Sequence, residues 1–188
     1  MSEFEYISIL TSIVFGLGIT HLLAGAGRAF FRQRQNPIDE VHMTFTASTF
    51  LVLVLNWWVA FSWRTKTDWT FDLFLVLLCW SIAQYMLAIF LYPPDLAESD
   101  RYREIFDRNR LGYYGASIVY GTLDIVATGM RGALLHPVWY LPFAGSYLGL
   151  CALGMLLRRR SYDRFFAWYL FVILFAWCFF VRRILVNV

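Results

Sequence analysis

One carboxylate, Asp124, has the strongest claim to chemistry in this chain. It lies in the fourth of six apolar segments, at a depth that falls inside a lipid bilayer. An ionised acid there is costly unless water or a partner attends it, so it marks a site. Helix rise gives the depths of other polar residues. Asn56 and Asp124 both fall about 10 Å below one boundary of the hydrocarbon, and Asp72 about 5 Å below it. Glu5, Arg131 and Arg182 stand at helix ends on that same side, so six polar residues are expected to converge in one half of the membrane. Thr20, His21 and Gln84 form a second, smaller layer in the other half.

Two chemistries suit such a group. Asp124 can line a water-filled cavity and bind or relay a proton or small cation. Alternatively it is a buried ion pair that fixes helix register, which costs little when fully paired. Recognition of a lipid or other ligand is a third use. Arg131 is seven residues further on, two turns along one face, and must reach back roughly 10 Å. A cation from another helix, such as Arg182, is an equally good partner.

His21 can join a proton relay, because imidazole titrates near neutrality. Haem would need a second imidazole at similar depth. His42 at the inner end of the second segment is the candidate, His136 lying on the opposite side, and there is no CxxCH. A histidine satisfied at a helix interface is the simpler description, and no cofactor or metal is expected. The chain has no GxxxxGK[ST], HExxH, GxSxG or paired CxxC, so nucleotide hydrolysis, zinc proteolysis and serine hydrolysis have no support. The expectation is a protein that is not an enzyme.

Composition says which elements must position these groups. Hydrophobic residues make up 60% and charged residues 15% of the chain, against about 25% charged in soluble domains. The charges fall between apolar runs of membrane-crossing length. The expected fold is all-α, a single integral membrane domain over residues 1–188 with a bundle of six transmembrane helices. The spans run from about Tyr6 to Ala26, Met43 to Trp63, Trp69 to Tyr92, Gly112 to Met130, Val138 to Leu157 and Phe165 to Ile184. Pro93-Pro94 ends the third. Between the third and fourth lies a polar stretch from Asp95 to Arg110. Asp95 can cap a short helix there, with Tyr102, Ile105 and Phe106 on one face, which reads as an amphipathic helix on the membrane surface.

Basic residues set orientation. The first, third and fifth loops hold Arg28, Arg32, Arg34, Arg101, Arg103, Arg108, Arg110, Arg158, Arg159, Arg160 and Arg164. The other side holds only Arg64, Lys66, Arg131, Arg182 and Arg183. Both termini are therefore expected outside the cytoplasm, with Trp57, Trp58, Trp63, Trp69 and Trp139 near the outer boundary as an aromatic belt. All but one of the cations are Arg, which suits anionic lipid headgroups at the inner loops. They are spread over loops rather than gathered on one face, so nucleic acid is not an expected partner. Cys79, Cys151 and Cys178 all lie in apolar runs and read as packing residues. The acidic start, with Glu3 and Glu5, shows no cleavable signal peptide.

Ser8, Ser12, Gly16, Thr20 and Ala24 recur every fourth residue along the first segment, with Gly18 and Gly25 in a neighbouring groove. Small residues at this spacing let helices approach closely, within the bundle or between subunits. The same stretch reads Phe4-Glu5-Tyr6, then Ser8-Ile9-Leu10-Thr11-Ser12-Ile13 and Gly16-Leu17-Gly18-Ile19-Thr20-His21-Leu22-Leu23. With Trp69-Thr70-Phe71, Pro94-Asp95-Leu96 and Asp124, it resembles a family of small polytopic bacterial inner-membrane proteins of uncharacterised function. The resemblance implies a bacterial inner-membrane location and no activity. Two functional expectations result. One is an outward-facing polar cavity around Asp124 that handles a proton or small cation. The other is a scaffold, sensor or accessory subunit that associates with itself or another membrane protein through the first helix.

Overall fold

Every described element is helical in the computed structural model, which describes residues 2–34, 36–94 and 101–180. The first helix, α1 (Glu3–Phe31), starts at a reciprocal cap. The Glu5 amide donates to Ser2 Oγ at 3.2 Å, and the Ser2 amide donates to Glu5 Oε2 at 2.9 Å. Asp39 caps α2 (Glu40–Ala60) by accepting from the His42 amide, and a 3-10 turn (Phe61–Thr65) prolongs that helix. Thr70 caps α3 (Phe71–Leu91) in the same way, and Pro93 and Pro94 follow its end. The remaining helices are α4 (Tyr102–Met130), α5 (Tyr140–Leu156) and α6 (Arg160–Phe180).

Four of these are long and apolar enough to cross a membrane: Glu3–Phe31, Glu40–Thr65, Phe71–Leu91 and Arg160–Phe179. The fifth helix is apolar but has only 17 residues. At 29 residues α4 is long enough, but its first turns carry Arg103, Glu104, Asp107, Arg108 and Arg110.

The expected surface helix before the fourth span is not a separate element. Residues 102–110 are the first turns of α4, which continues unbroken past Gly112 and Gly115. Tyr102, Ile105 and Phe106 are buried in the core rather than laid on a surface, and Phe106 stacks on Phe45 of α2 at 4.9 Å. Burying that aromatic face against α2 removes more apolar area from solvent than a surface position would. The proposed cap at Asp95 lies outside the described residues.

Packing departs from chain order in two places, at α1 on α3 and at α6 on α2. Helix α1 lies against α2 and α3, α3 against α4, and α4 against α5, whereas α6 packs mainly on α2 and scarcely touches α5. The face that α1 turns inward is Ile7, Thr11, Phe15, Gly18, Leu22, Gly25 and Ala29. Gly18 and Gly25 take the close approaches, since a Cβ on Gly18 would stand 3.2 Å from Leu53 and one on Gly25 2.3 Å from the Tyr92 ring. The stripe Ser8, Ser12, Gly16, Thr20 and Ala24 is not the intramolecular seam. Gly16, Thr20 and Ala24 are exposed, and a Cβ on Gly16 would meet nothing within 4 Å.

Ion pairs gather at one end of the bundle. Arg110 Nε binds Asp163 Oδ1 at 2.9 Å with both side chains buried, Arg160 pairs with Asp39, and Arg164 pairs with Glu40 at 3.2 Å. Burial alone would raise the Asp39 pKa, but the bond from Arg160 and the His42 amide outweigh it and hold the carboxyl below its usual range.

Candidate functional site: a polar cavity around Asp124

Asp124 sits on α4, three residues after Gly121 and seven before Arg131. Its carboxylate is held from two other helices. Trp80 Nε1 of α3 donates to Oδ1 at 3.1 Å, and the Tyr140 hydroxyl of α5 donates to Oδ2 at 2.8 Å. One turn before it, Tyr120 accepts a bond from Asn56 Nδ2 of α2 at 2.9 Å. The same amide donates to Gln84 Oε1 of α3 at 2.8 Å, and Gln84 Nε2 donates to the Trp80 carbonyl at 3.3 Å. Four helices thus contribute to one connected polar cluster.

The cluster forms one wall of a cavity of about 70 Å³, large enough for a few water molecules. Asn56, Tyr120, Asp124, Thr128, Arg131 and Tyr140 line its polar side, with Leu170, Leu174 and Trp177 of α6 opposite. Phe143 of α5 stacks on Trp177 at 5.1 Å, which brings aromatic rings together across the gap between α5 and α6. Arg131 donates to Ser62 Oγ and lies over the Trp63 ring at 5.7 Å. Its guanidinium is therefore anchored where the 3-10 turn meets the end of α4.

Of the residues expected to converge, the structure brings Asn56, Asp124 and Arg131 to the cavity. Asp72 does not join them: it is exposed in the first turn of α3, where a carboxylate is favoured by the helix dipole. Glu5 is also exposed and is spent on the α1 cap. Arg182 lies outside the described residues. The second layer is divided as well. Gln84 belongs to the Asn56 cluster, His21 Nε2 meets the Tyr92 carbonyl at 2.6 Å, and Thr20 is exposed. Helix-rise depths assume straight helices normal to the membrane, so an error of one turn, about 5.4 Å, moves a residue between layers.

Sequence reasoning missed Trp80, Tyr120 and Tyr140. Tyr120 was within reach of it, because four residues before Asp124 is one turn on the same face. Trp80 and Tyr140 come from other helices, and nothing local marks them.

The arrangement is suited to proton chemistry. Tyrosine and threonine hydroxyls donate and accept, a carboxylate binds a proton, and Trp80 and Tyr140 bond Asp124 through neutral groups. A metal cation would share the cavity with the Arg131 guanidinium, which repels it. Among the described residues no group of three or more His, Cys, Asp or Glu is placed to hold a metal ion. His42 is a separate feature at the opposite end of α2. It is fully buried, its ring 4.8 Å from Tyr92 and 5.4 Å from Tyr102, and neither ring nitrogen has a hydrogen-bond partner among the described residues.

The described residues define an all-helical protein with four helices fit to cross a membrane and a polar cluster shared by α2, α3, α4 and α5. Compared with known proteins, the chain matches no family model, no curated protein and no solved structure.

Proposed function

We propose that this chain is a six-span protein of a bacterial inner membrane, without enzymatic activity, whose cavity takes up and releases a proton at Asp124. The observation that carries the reading is the Asp124 carboxylate, bonded by Trp80 and Tyr140 on the wall of a cavity shared with Arg131. A purely structural acid needs no adjoining space, whereas a proton site needs somewhere for water to deliver the proton. Arg131 in the same cavity favours a proton over a metal cation.

In this reading α4, from about Gly112, and α5 with its flanking residues also cross the bilayer. Both are helical and antiparallel neighbours in the chain, joined by a short connection from 131 to 139. The Arg-rich loops then face the cytoplasm, both termini face outward, and the Asp124 cavity opens to the outside. Anionic lipid headgroups would meet the inner Arg residues.

The test is proton flux into vesicles reconstituted with the purified protein. Wild-type protein should acidify the lumen under an imposed gradient, and Asp124→Asn should not. Equal flux from both would refute the reading.

A second reading is favoured by the outward stripe of α1. Gly16, Thr20 and Ala24 are small, exposed and in register, which suits close approach by a helix of a second copy or of another membrane protein. Here Gly16→Leu should abolish association measured by crosslinking while the fold persists. A protein that is monomeric with either residue would end this version.

A further inference from the structure

The cavity is one end of a longer polar row. On α2, His42, Thr46, Thr49 and Asn56 are all buried. His42, Thr49 and Asn56 are each seven residues apart, so they lie on one face two turns from one another. On α4, Tyr113 and Tyr120 are likewise seven apart, as are Ser117 and Asp124. The two rows meet: Thr49 Oγ1 bonds the Tyr113 hydroxyl at 3.0 Å, and Asn56 bonds the Tyr120 hydroxyl at 2.9 Å. Between these levels Ser117 is buried beside Tyr147 and Cys151, and Tyr147 also lines the Asp124 cavity. At the far end Thr46 bonds the Tyr92 hydroxyl at 3.1 Å, and the Tyr92 ring lies against His42. From His42 to Asn56 the row rises about 21 Å, most of the hydrocarbon thickness.

Buried hydroxyls between helices often serve only to hold them together. His42 does not fit that use. A helix-joining polar group is satisfied by its partner, yet this imidazole is fully buried with both nitrogens unpaired among the described residues. Such a group is costly to keep and calls for an explanation. A neutral imidazole has one N–H and one bare nitrogen, so it can accept a proton on one side and release one from the other.

We infer that the α2–α4 row is a proton path through the protein, with Asp124 as its outer terminus and His42 as its inner one. The inference rests on the reading of Asp124 as a proton site. A proton from the outer solution binds the Asp124 carboxylate. The hydroxyls of Tyr120, Tyr113, Thr49, Thr46 and Tyr92 each accept one proton as they give up their own, with the Asn56 amide holding Tyr120 in place. The intervals without a bond, the last of them from the Tyr92 hydroxyl to the bare nitrogen of His42, are crossed by hydroxyl rotation or by water entering from the cavity, and His42 then releases its N–H proton inward. No bond order changes overall and the imposed gradient drives the transfer. The groups that face His42 are Tyr92 of α3, Tyr102 of α4, Asp39 before α2 and Arg160 of α6. The Asp39–Arg160 pair lies beside this inner terminus and marks the charged end of the bundle, where the proton leaves to water.

The experiment compares vesicles carrying wild type, Asp124→Asn, His42→Phe, Thr49→Val and Thr49→Ser under an imposed pH gradient, with thermal stability measured alongside. Phe fills the aromatic surroundings of His42 without leaving an unpaired nitrogen, so that variant should fold at least as well as wild type. His42→Phe and Thr49→Val should lose flux while staying folded, and Thr49→Ser should retain it. Full flux in His42→Phe and Thr49→Val, with flux lost in Asp124→Asn, overturns the path and leaves the cavity reading standing. Absence of flux in wild type overturns both.

Discussion

Arg110 of α4 and Asp163 of α6 form a buried pair in which one guanidinium nitrogen, Nε, meets both carboxylate oxygens, at 2.9 and 3.1 Å. The Tyr114 hydroxyl donates to the same carboxylate at 2.8 Å, and Arg110 also donates to the Leu157 carbonyl at the end of α5. One residue thereby ties together three helices where α5 and α6 otherwise have little contact. Removing one partner strands the other in the core. Arg110→Met should destabilise the protein by about 3–5 kcal/mol, and Tyr114→Phe by about 1 kcal/mol. Unfolding in detergent micelles measures both, and an Arg110→Met variant as stable as wild type would remove this pair from the account.

The Asp39–Arg160 pair gives a pH dependence with a definite sign. The folded state holds Asp39 below its unfolded value, so the pair stabilises fully above that value and loses its contribution as pH falls through the folded one. The stability gap between wild type and Asp39→Asn should be constant at neutral pH and close below about pH 4. A gap that instead widens on acidification would reverse the assignment.

Two glycines on α1 should behave oppositely. A side chain at Gly25 runs into the Tyr92 ring, so Gly25→Val should cost about 1–3 kcal/mol through overpacking. Gly16 has open space around it, so Gly16→Leu should leave thermal stability unchanged. Similar melting temperatures for the two variants would mean that α1 is docked by another face.

Access to the cavity is open to chemical labelling. In a background with Cys79, Cys151 and Cys178 replaced, Thr128→Cys places a thiol on its wall. A small charged, membrane-impermeant thiol reagent should label it from the outer side of oriented vesicles and not from the inner side. Labelling from the inner side alone would invert the proposed orientation.

How much of this was legible in the sequence differs between elements. The end of α3 was readable at Pro93-Pro94, whereas segment bounds drawn from hydropathy, starting at Tyr6, Met43 and Trp69, passed over the local caps Ser2, Asp39 and Thr70 that start α1, α2 and α3. The fourth segment was not readable, because charges at Arg103, Glu104 and Asp107 resemble a surface helix unless one knows that Phe45 and Tyr92 wait to cover the opposite face. The inward face of α1 was hidden for a related reason: a helix apolar on every side carries little amphipathic signal to choose between two glycine rows. Asp124 itself stood out by its cost in lipid. Its donors Trp80 and Tyr140 did not, since a partner 44 residues away leaves no mark on local spacing.

Infrared difference spectroscopy of the reconstituted protein, recorded while the outer solution is acidified, reads the protonation of Asp124 directly. A carboxylic-acid carbonyl band should grow with acidification, return to baseline on neutralisation and be missing from Asp124→Asn. A set of carboxyl bands identical in wild type and Asp124→Asn throughout the range where the protein stays folded would contradict a proton site at Asp124.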